Sequence, residues 1–316
     1  MQLFSKYHKG ELQAQEYAGE TKQAKFNGQA IENNIIEGAI SFISEQEYAI
    51  VSITDEKDNV WSSVLSGDKG FLNATNPKTI IMDMQMVDID ERDVFWKVVE
   101  KNKRIGLLII ELASRRRLRV NGKVARINKN HIEISVHESY PNCMKYIQRR
   151  QITNRNTDNK ESAKPATTGT TLNHSQQSII QSADTFFIGS SNPKGNLDIS
   201  HRGGEPGFIE IINDNKLRIP DYKGNSMFNT LGNFIVNNKA GIVFWDFESG
   251  KVLQLIGSAN INWQAMNQNS ESADTGRYWE FIIHQWIEKE LPRVFTWEFL
   301  DYSLHNPKFT QLIYYV

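Results

Sequence analysis

TDEKDNVWSSVLSGDKGFL (54–72) lies without a gap over SNPKGNLDISHRGGEPGFI (191–209). Lys57 meets Lys194, Asn59 meets Asn196, Ser63 meets Ser200, and Gly70-Phe71 meets Gly207-Phe208. A second block repeats the pattern: RIGLLIIELASRRRLRVNGKV (104–124) lies over KAGIVFWDFESGKVLQLIGSA (239–259). There Gly106 meets Gly241, Leu118 meets Leu253 and Gly122 meets Gly257. Two blocks in one order, with a slip of two residues between them, mark a duplicated unit.

The unit reads as β. EYAIVSI and TFFIGSS are short β-branched and aromatic runs, each followed by a polar turn and a second strand. GIVFWDF-ESGK-VLQLIGSANI and GLLIIEL-ASRR-RLRVNGKVARI read as long hairpins. One helical piece interrupts each half. In the second, Met227, Leu231, Phe234 and Ile235 fall on one stripe; in the first, VFWKVVEKN does the same. Each half is therefore expected to be a small β-barrel with a helix inserted midway.

The chain's 316 residues suit about two domains. The segment from Asn154 to Ser178 is polar and poor in aromatics, a linker with a loosely ordered centre. The division expected is 1–153 for a helical lead-in and first barrel, 154–178 for the linker, and 179–316 for the second barrel. Lys+Arg 36 against Asp+Glu 37 supplies no global field for nucleic acid or membrane, so binding must be local. The lone Cys143 excludes an intrachain disulfide, and no run has the length of a signal core or a membrane span. These features lead to the expectation of a cytoplasmic protein. The seven histidines form no metal-ligand spacing, so no metal is expected.

The second half, ADTFFIGSSNPKGNLDISHRGGEPGFIEI with LRIPDYKGNSMFNTLGNFIVNNKAGIVFWDF, resembles FMN-binding split-barrel proteins related to pyridoxamine 5'-phosphate oxidase. HKGELQAQEYAG and ESYPNCMKYIQRR resemble the two-barrel members of that family. The resemblance implies a mainly β chain with inserted helices: tandem six-stranded split barrels, packed as a pseudo-dimer, with FMN at the barrel–barrel interface. It also implies an FMN-dependent oxidoreductase that passes electrons from NAD(P)H or a small substrate to oxygen or another acceptor. A flavin- or haem-like-ligand binding module without turnover stays open, as does a homodimer. The Ser-Arg-Lys signature of the oxidases themselves is not reproduced; HRGG and GNSMFN stand in its place.

The residues of IPDYKGNSMFNTLGN (219–233) support an anion site on their own account. Gly224 allows a turn, Asn225 or Ser226 is positioned to cap the helix that begins at Met227, and Lys223 and Asn229 add a charge and an amide. A capped helix start offers free N–H groups and the positive end of the dipole. That dipole contributes roughly 0.3–1 kcal/mol, so further contacts are required. His201, Arg202, Gly203 and Gly204 are candidates, the arginine for phosphate and the glycines for close backbone approach. Asp221 and Tyr222 complete the motif. In the first half the same connection reads MDMQMVDIDERDVFW, where Asp88, Asp90 and Glu91 would repel phosphate.

Arg117 and Arg119 share one strand face, and the second copy has Val252 opposite Arg117. One composite site per chain is the expectation, with arginines from one barrel and the loop from the other. His201 is the one weak candidate for acid–base work, because its ordinary titration lies near neutrality. Trp279, Trp286 and Trp297 are expected in the core or an interface, with one available to stack on the flavin edge.

Overall fold

The computed structural model describes residues 6–156, 164–263 and 275–307. In the first half β1 (Tyr48–Thr54), β2 (Val60–Ser66), β3 (Leu72–Asn76), β4 (Thr79–Asp83), β5 (Arg104–Glu111), β6 (Arg116–Ile127) and β7 (His131–Pro141) form one antiparallel sheet. Its order is β2-β1-β5-β6-β7-β4-β3. After β8 (Arg149–Asn156) and the short β9 (Thr167–Gly169), the second half supplies β10 (Thr185–Ser191), β11 (Leu197–Gly203), β12 (Glu210–Asn213) and β13 (Lys216–Pro220). β14 (Lys239–Trp245), β15 (Lys251–Asn262) and β16 (Tyr278–Glu290) follow. The order β11-β10-β14-β15-β16-β13-β12 repeats that of the first sheet, and β9 is added beside β16.

The repeat extends to irregularities. β6 and β15 are each 12 residues long. Each shifts register against its neighbour at matching positions, between Asn121 and Gly122 and between Ile256 and Gly257. A Cβ on Gly122 would lie 2.2 Å from the Ser135 carbonyl oxygen, and one on Gly257 2.0 Å from that of Ile282. Both bulges therefore require glycine.

Each sheet curls around one core drawn from all of its strands up to the short outer hairpin. Ala49, Val51, Ile80, Leu107, Val120 and Ile134 lie in the first core, and Phe186, Ile188, Leu217, Ile242, Leu255 and Phe281 in the second. The edge strands β2 and β3, and likewise β11 and β12, are not joined to each other, which makes each unit a split barrel. Where the resemblance implies six strands per barrel, the first sheet has seven and the second seven plus β9, with residues 72–83 and 210–220 each folding as a hairpin.

Strands β1 and β10 are buried at every residue, which explains their unbroken apolar runs. Alternate side chains serve different cores: Ala49 and Val51 face the first barrel, whereas Tyr48 and Ile50 join Phe187, Ile199, Val243 and Trp245 in a third core between barrels. The barrels are thus joined by a shared apolar layer. β17 (Val294–Asp301) pairs with β8 as a ribbon across the junction, and packs Phe295 against Tyr48 and Trp245.

Within the expected linker, β8 runs on to Asn156, β9 joins the second sheet, and α5 (His174–Ser182) has begun by His174; its centre, 157–163, lies outside the described residues. The other helices are α1 (Lys9–Tyr17), α2 (Thr21–Asn27), α3 (Ile40–Ser44), α4 (Val94–Val98) and α6 (Asn229–Val236). Among the described residues no helix is long and apolar enough to cross a membrane.

The inserted helices α4 and α6 begin differently. Asp93 caps α4 by accepting the Phe95 amide at 2.9 Å. α6 starts at Asn229, not Met227, and neither Asn225 nor Ser226 caps it. Ser226 and Phe228 have φ of 61° and 59°, so the chain leaves helical geometry at both. Asn225 instead accepts the Met227 amide at 3.1 Å in a local turn, and the Ser226 hydroxyl donates to Glu20 at 2.5 Å.

Candidate functional site

β6 and β11 meet across the barrel junction, and the loop before α6 folds over their meeting line. Between them lies a cavity of about 100 Å³. Of the sequence candidates, Arg117, Arg119, His201, Arg202, Gly203, Asp221, Tyr222, Gly224, Asn225, Ser226 and Asn229 line it. Both barrels contribute, as a composite site requires. Gly204, Lys223 and Met227 do not line it: Lys223 is exposed, and Met227 is buried against Ile31 and Tyr140.

The glycines act differently from expectation. A Cβ on Gly203 would meet the Tyr146 carbonyl oxygen at 2.1 Å, and one on Gly204 the Phe208 ring at 2.6 Å. These residues make room for neighbouring chain, not for a ligand. Gly224 has nothing within 4 Å of its Cβ position and no positive φ, so the turn does not demand it. The left-handed positions fall on Ser226 and Phe228, where an L-residue is strained.

The electrostatics are one-sided. Arg117, Arg119, Lys145, Arg202 and Arg277 line the cavity with a single carboxylate, Asp221. Asp221 is itself shared, 3.1 Å from Arg277 Nε and 3.6 Å from the Arg202 guanidinium. Arg119 is well matched: it donates to Tyr140 Oη at 2.8 Å, to Asn229 Oδ1 at 3.2 Å and to Ser200, with Asp198 at 3.4 Å. Burial works against its charge, but Tyr140 and Asp198 outweigh burial and its pKa rises.

Arg117 is not matched. Its hydrogen bond goes to the Cys143 carbonyl, and its Nε is buried without a partner among the described residues. Burial first, then Arg119 and Arg202, bring its pKa down to about 9. Arg202 is lowered for the same reason, with Asp221 opposing. A partly desolvated cation with no counter-charge, as Arg117 is, is stabilised when an anion arrives. Asn229, Thr230 and Leu231, the first residues of the uncapped α6, face the same space and add helix N–H donors.

His201 is buried, with Phe187 edge-on at 5.6 Å, and neither ring nitrogen has a partner among the described residues. Burial, then Arg117 and Arg202, push its pKa well below the ordinary value. The ring is neutral at physiological pH, so the near-neutral titration behind its acid–base candidacy is absent. It can still donate or accept one hydrogen bond.

Sequence reading missed Asn142, Tyr146, Phe228 and Arg277. Asn142 to Tyr146 follow β7 directly, and SYPNCMKYI draws attention only to its cysteine. Cys143 itself lines the cavity. Trp279 and Trp286 lie in the second core and Trp297 against the shared one; none of the three lines the cavity.

The mirror locus carries the opposite chemistry. There Gln254 takes the place of Arg119 and donates to Ser63 at 2.8 Å, the counterpart of Ser200. Asp88 pairs with Arg293 at 2.7 Å, and Lys289 lies 2.8 Å from Asp90 and 3.1 Å from Asp93. Asp88, Asp90 and Asp93 of the first-half loop are thus held in internal ion pairs.

Beside the cavity, Glu11 of α1 accepts from Asn229 Nδ2 at 2.6 Å. Burial and the Asp198 carboxylate raise its pKa to about 8, with Glu138 adding and the His8 amide and Asn229 opposing; Arg119 lies on the far side of Asn229. A carboxyl raised from 4.5 stabilises the fold fully below pH 4.5, and that contribution is lost as pH climbs through 8. Urea unfolding should therefore show stability falling from pH 5 to pH 8. Glu11→Gln should flatten this dependence.

No protein-family model matches the chain, and no curated protein matches it. Among solved structures, it is similar to HupZ of Group A Streptococcus, at 13% identity and a TM-score of 0.30, over 36% of this chain and 90% of that one. It is also similar to a Clostridium acetobutylicum protein related to general stress protein 26, of the pyridoxinephosphate oxidase family (14%, TM-score 0.26, 38% and 90%). A third is the FAD binding protein of Mycobacterium smegmatis (12%, TM-score 0.27, 40% and 99%).

Proposed function

We propose that this chain binds FMN by its phosphate, one molecule per chain, in the cavity between β6, β11 and the loop before α6. The observation that carries the reading is Arg117, a half-buried guanidinium whose Nε is buried without a partner and which has no carboxylate partner among the described residues, in a cavity with four further basic residues and one acid. The cavity volume of about 100 Å³ suits a phosphate group and not a three-ring flavin, so the fit is to the phosphate end.

In this reading Arg117 and Arg202 neutralise the phosphate charge, and the α6 N–H groups donate to its remaining oxygens. Arg119, tied to Tyr140, Ser200 and Asn229, fixes the β6–β11 spacing and donates little itself. Neutral His201 offers one directional hydrogen bond without adding repulsion. The bound flavin would supply two-electron redox chemistry.

The chain is then an oxidoreductase drawing on NAD(P)H or a small donor and passing electrons to oxygen or another acceptor. A second reading, flavin or haem-like ligand binding without turnover, is favoured by the neutral state of the cavity's one histidine. Anaerobic NADH or NADPH separates them: bleaching of FMN-loaded protein near ~450 nm is expected for a flavin enzyme. Persistent yellow colour with every donor tried would favour the binding module.

A further inference from the structure

The loop that closes the cavity is held from outside by the N-terminal helices. α1 crosses α6 with backbones in contact: a Cβ on Gly10 would stand 2.1 Å from the Gly232 carbonyl oxygen. Gln15 Nε2 donates to Met227 O at 3.1 Å, and Asn27 Nδ2 to Asn225 O at 2.6 Å. Glu20 accepts from Ser226, and Glu11 from Asn229. Four of the five residues from Asn225 to Asn229 are thus bonded to residues 11–27. That segment includes both left-handed residues, Ser226 and Phe228. None of the lead-in residues lines the anion cavity.

A strained loop persists only where its surroundings over-determine it. Here the surroundings come from a segment some 200 residues away in sequence, packed on the side of the loop that faces away from the ligand. We propose that the lead-in is a positioning element for this site, so that its docking and ligand occupancy are thermodynamically linked. Gln15 and Asn27 are its positioning residues. The inference rests on the phosphate-ligand reading for its probe and not for its geometry. Linkage also requires reciprocity: whatever docking contributes to ligand affinity, the ligand returns to docking.

Gln15 and Asn27 suit the test because both are neutral and reach the loop only at its backbone carbonyl oxygens, so their removal leaves the cavity's charge unchanged. Glu20 does not, since losing its carboxylate would also remove one of the two acids paired with Arg277. FMN affinity would be measured by flavin fluorescence for the full chain, for Asn27→Ala, and for Gln15→Ala with Asn27→Ala. Hydrogen exchange would be followed at residues 8–27 and 225–229, with and without FMN.

The double variant should bind FMN at least tenfold more weakly, with Asn27→Ala intermediate. FMN should slow exchange in α1 and α2 of the unaltered chain. Affinities within twofold of the unaltered chain, with exchange at 8–27 indifferent to FMN, would overturn the linkage. If the unaltered chain takes up no FMN, the ligand reading fails by itself. The positioning role is then decided by exchange at 225–229, where faster exchange in the double variant supports it and unchanged exchange refutes it.

Discussion

Arg117→Met should weaken FMN binding by about 100-fold or more, while raising the stability of the ligand-free protein. The two signs come from one cause. Arg117 is charged and half-buried with a carbonyl as its hydrogen-bond partner, its Nε is buried without a partner among the described residues, and its pKa is brought down to about 9 by burial and by Arg119 and Arg202. Holding the proton at pH 7 therefore costs the empty fold free energy, which methionine removes at similar length. Hydrogen bonds to charged groups contribute about 1.5–3 kcal/mol each, so losing a guanidinium that meets phosphate with one or two accounts for the affinity loss. Isothermal titration and thermal unfolding of the empty protein check both signs. A variant less stable by more than about 1 kcal/mol would mean that Arg117 is a structural residue, since ordinary surface changes stay within about 0.5 kcal/mol.

Lys289→Met should destabilise the fold by about 3–5 kcal/mol and leave FMN affinity within about twofold of the unaltered chain. The Lys289 side chain is 1% exposed and lies between Asp90 and Asp93. Removing it leaves Asp93 buried without a cation among the described residues and Asp90 with Arg92 alone, the costly way to break an ion network. Adding Asp93→Asn to Lys289→Met should restore much of the loss, because the carboxylate left without a cation is then removed too. Urea unfolding of the single and double variants measures this. If the single variant loses less than about 1 kcal/mol, the mirror locus is not a closed ionic cluster in solution.

These expectations depend on how unlike the two copies are, and that asymmetry was legible in the sequence. The correspondence of the copies could be read because Gly122 aligns with Gly257, and the structure places a bulge at each. Strand alternation was enough to put Arg117 and Arg119 on one face. The acids of MDMQMVDIDERDVFW were plain in the sequence, but not their partners: Lys289 and Arg293 lie some 200 residues away.

The shape of the loop could not be read. Gly224 drew the turn prediction, while the left-handed geometry fell on Ser226 and Phe228, and local preference gives no hint of that. Its cause is tertiary, in the contacts of Gln15, Glu20 and Asn27. Arg277 and Tyr146 escaped for a related reason. Neither lies in a motif, and each reaches the cavity because a neighbouring strand begins or ends there. The one available signal was position, since residues just beyond β7 and just before β16 must pass the junction.

The most direct test of the account is a side-by-side titration of the full chain with FMN and with riboflavin, which differ in the phosphate alone. The account predicts one FMN per chain, with riboflavin bound at least about 100-fold more weakly, the loss of two or more charge-assisted hydrogen bonds. Equal affinity for the two, or two equivalent FMN sites per chain, would contradict it.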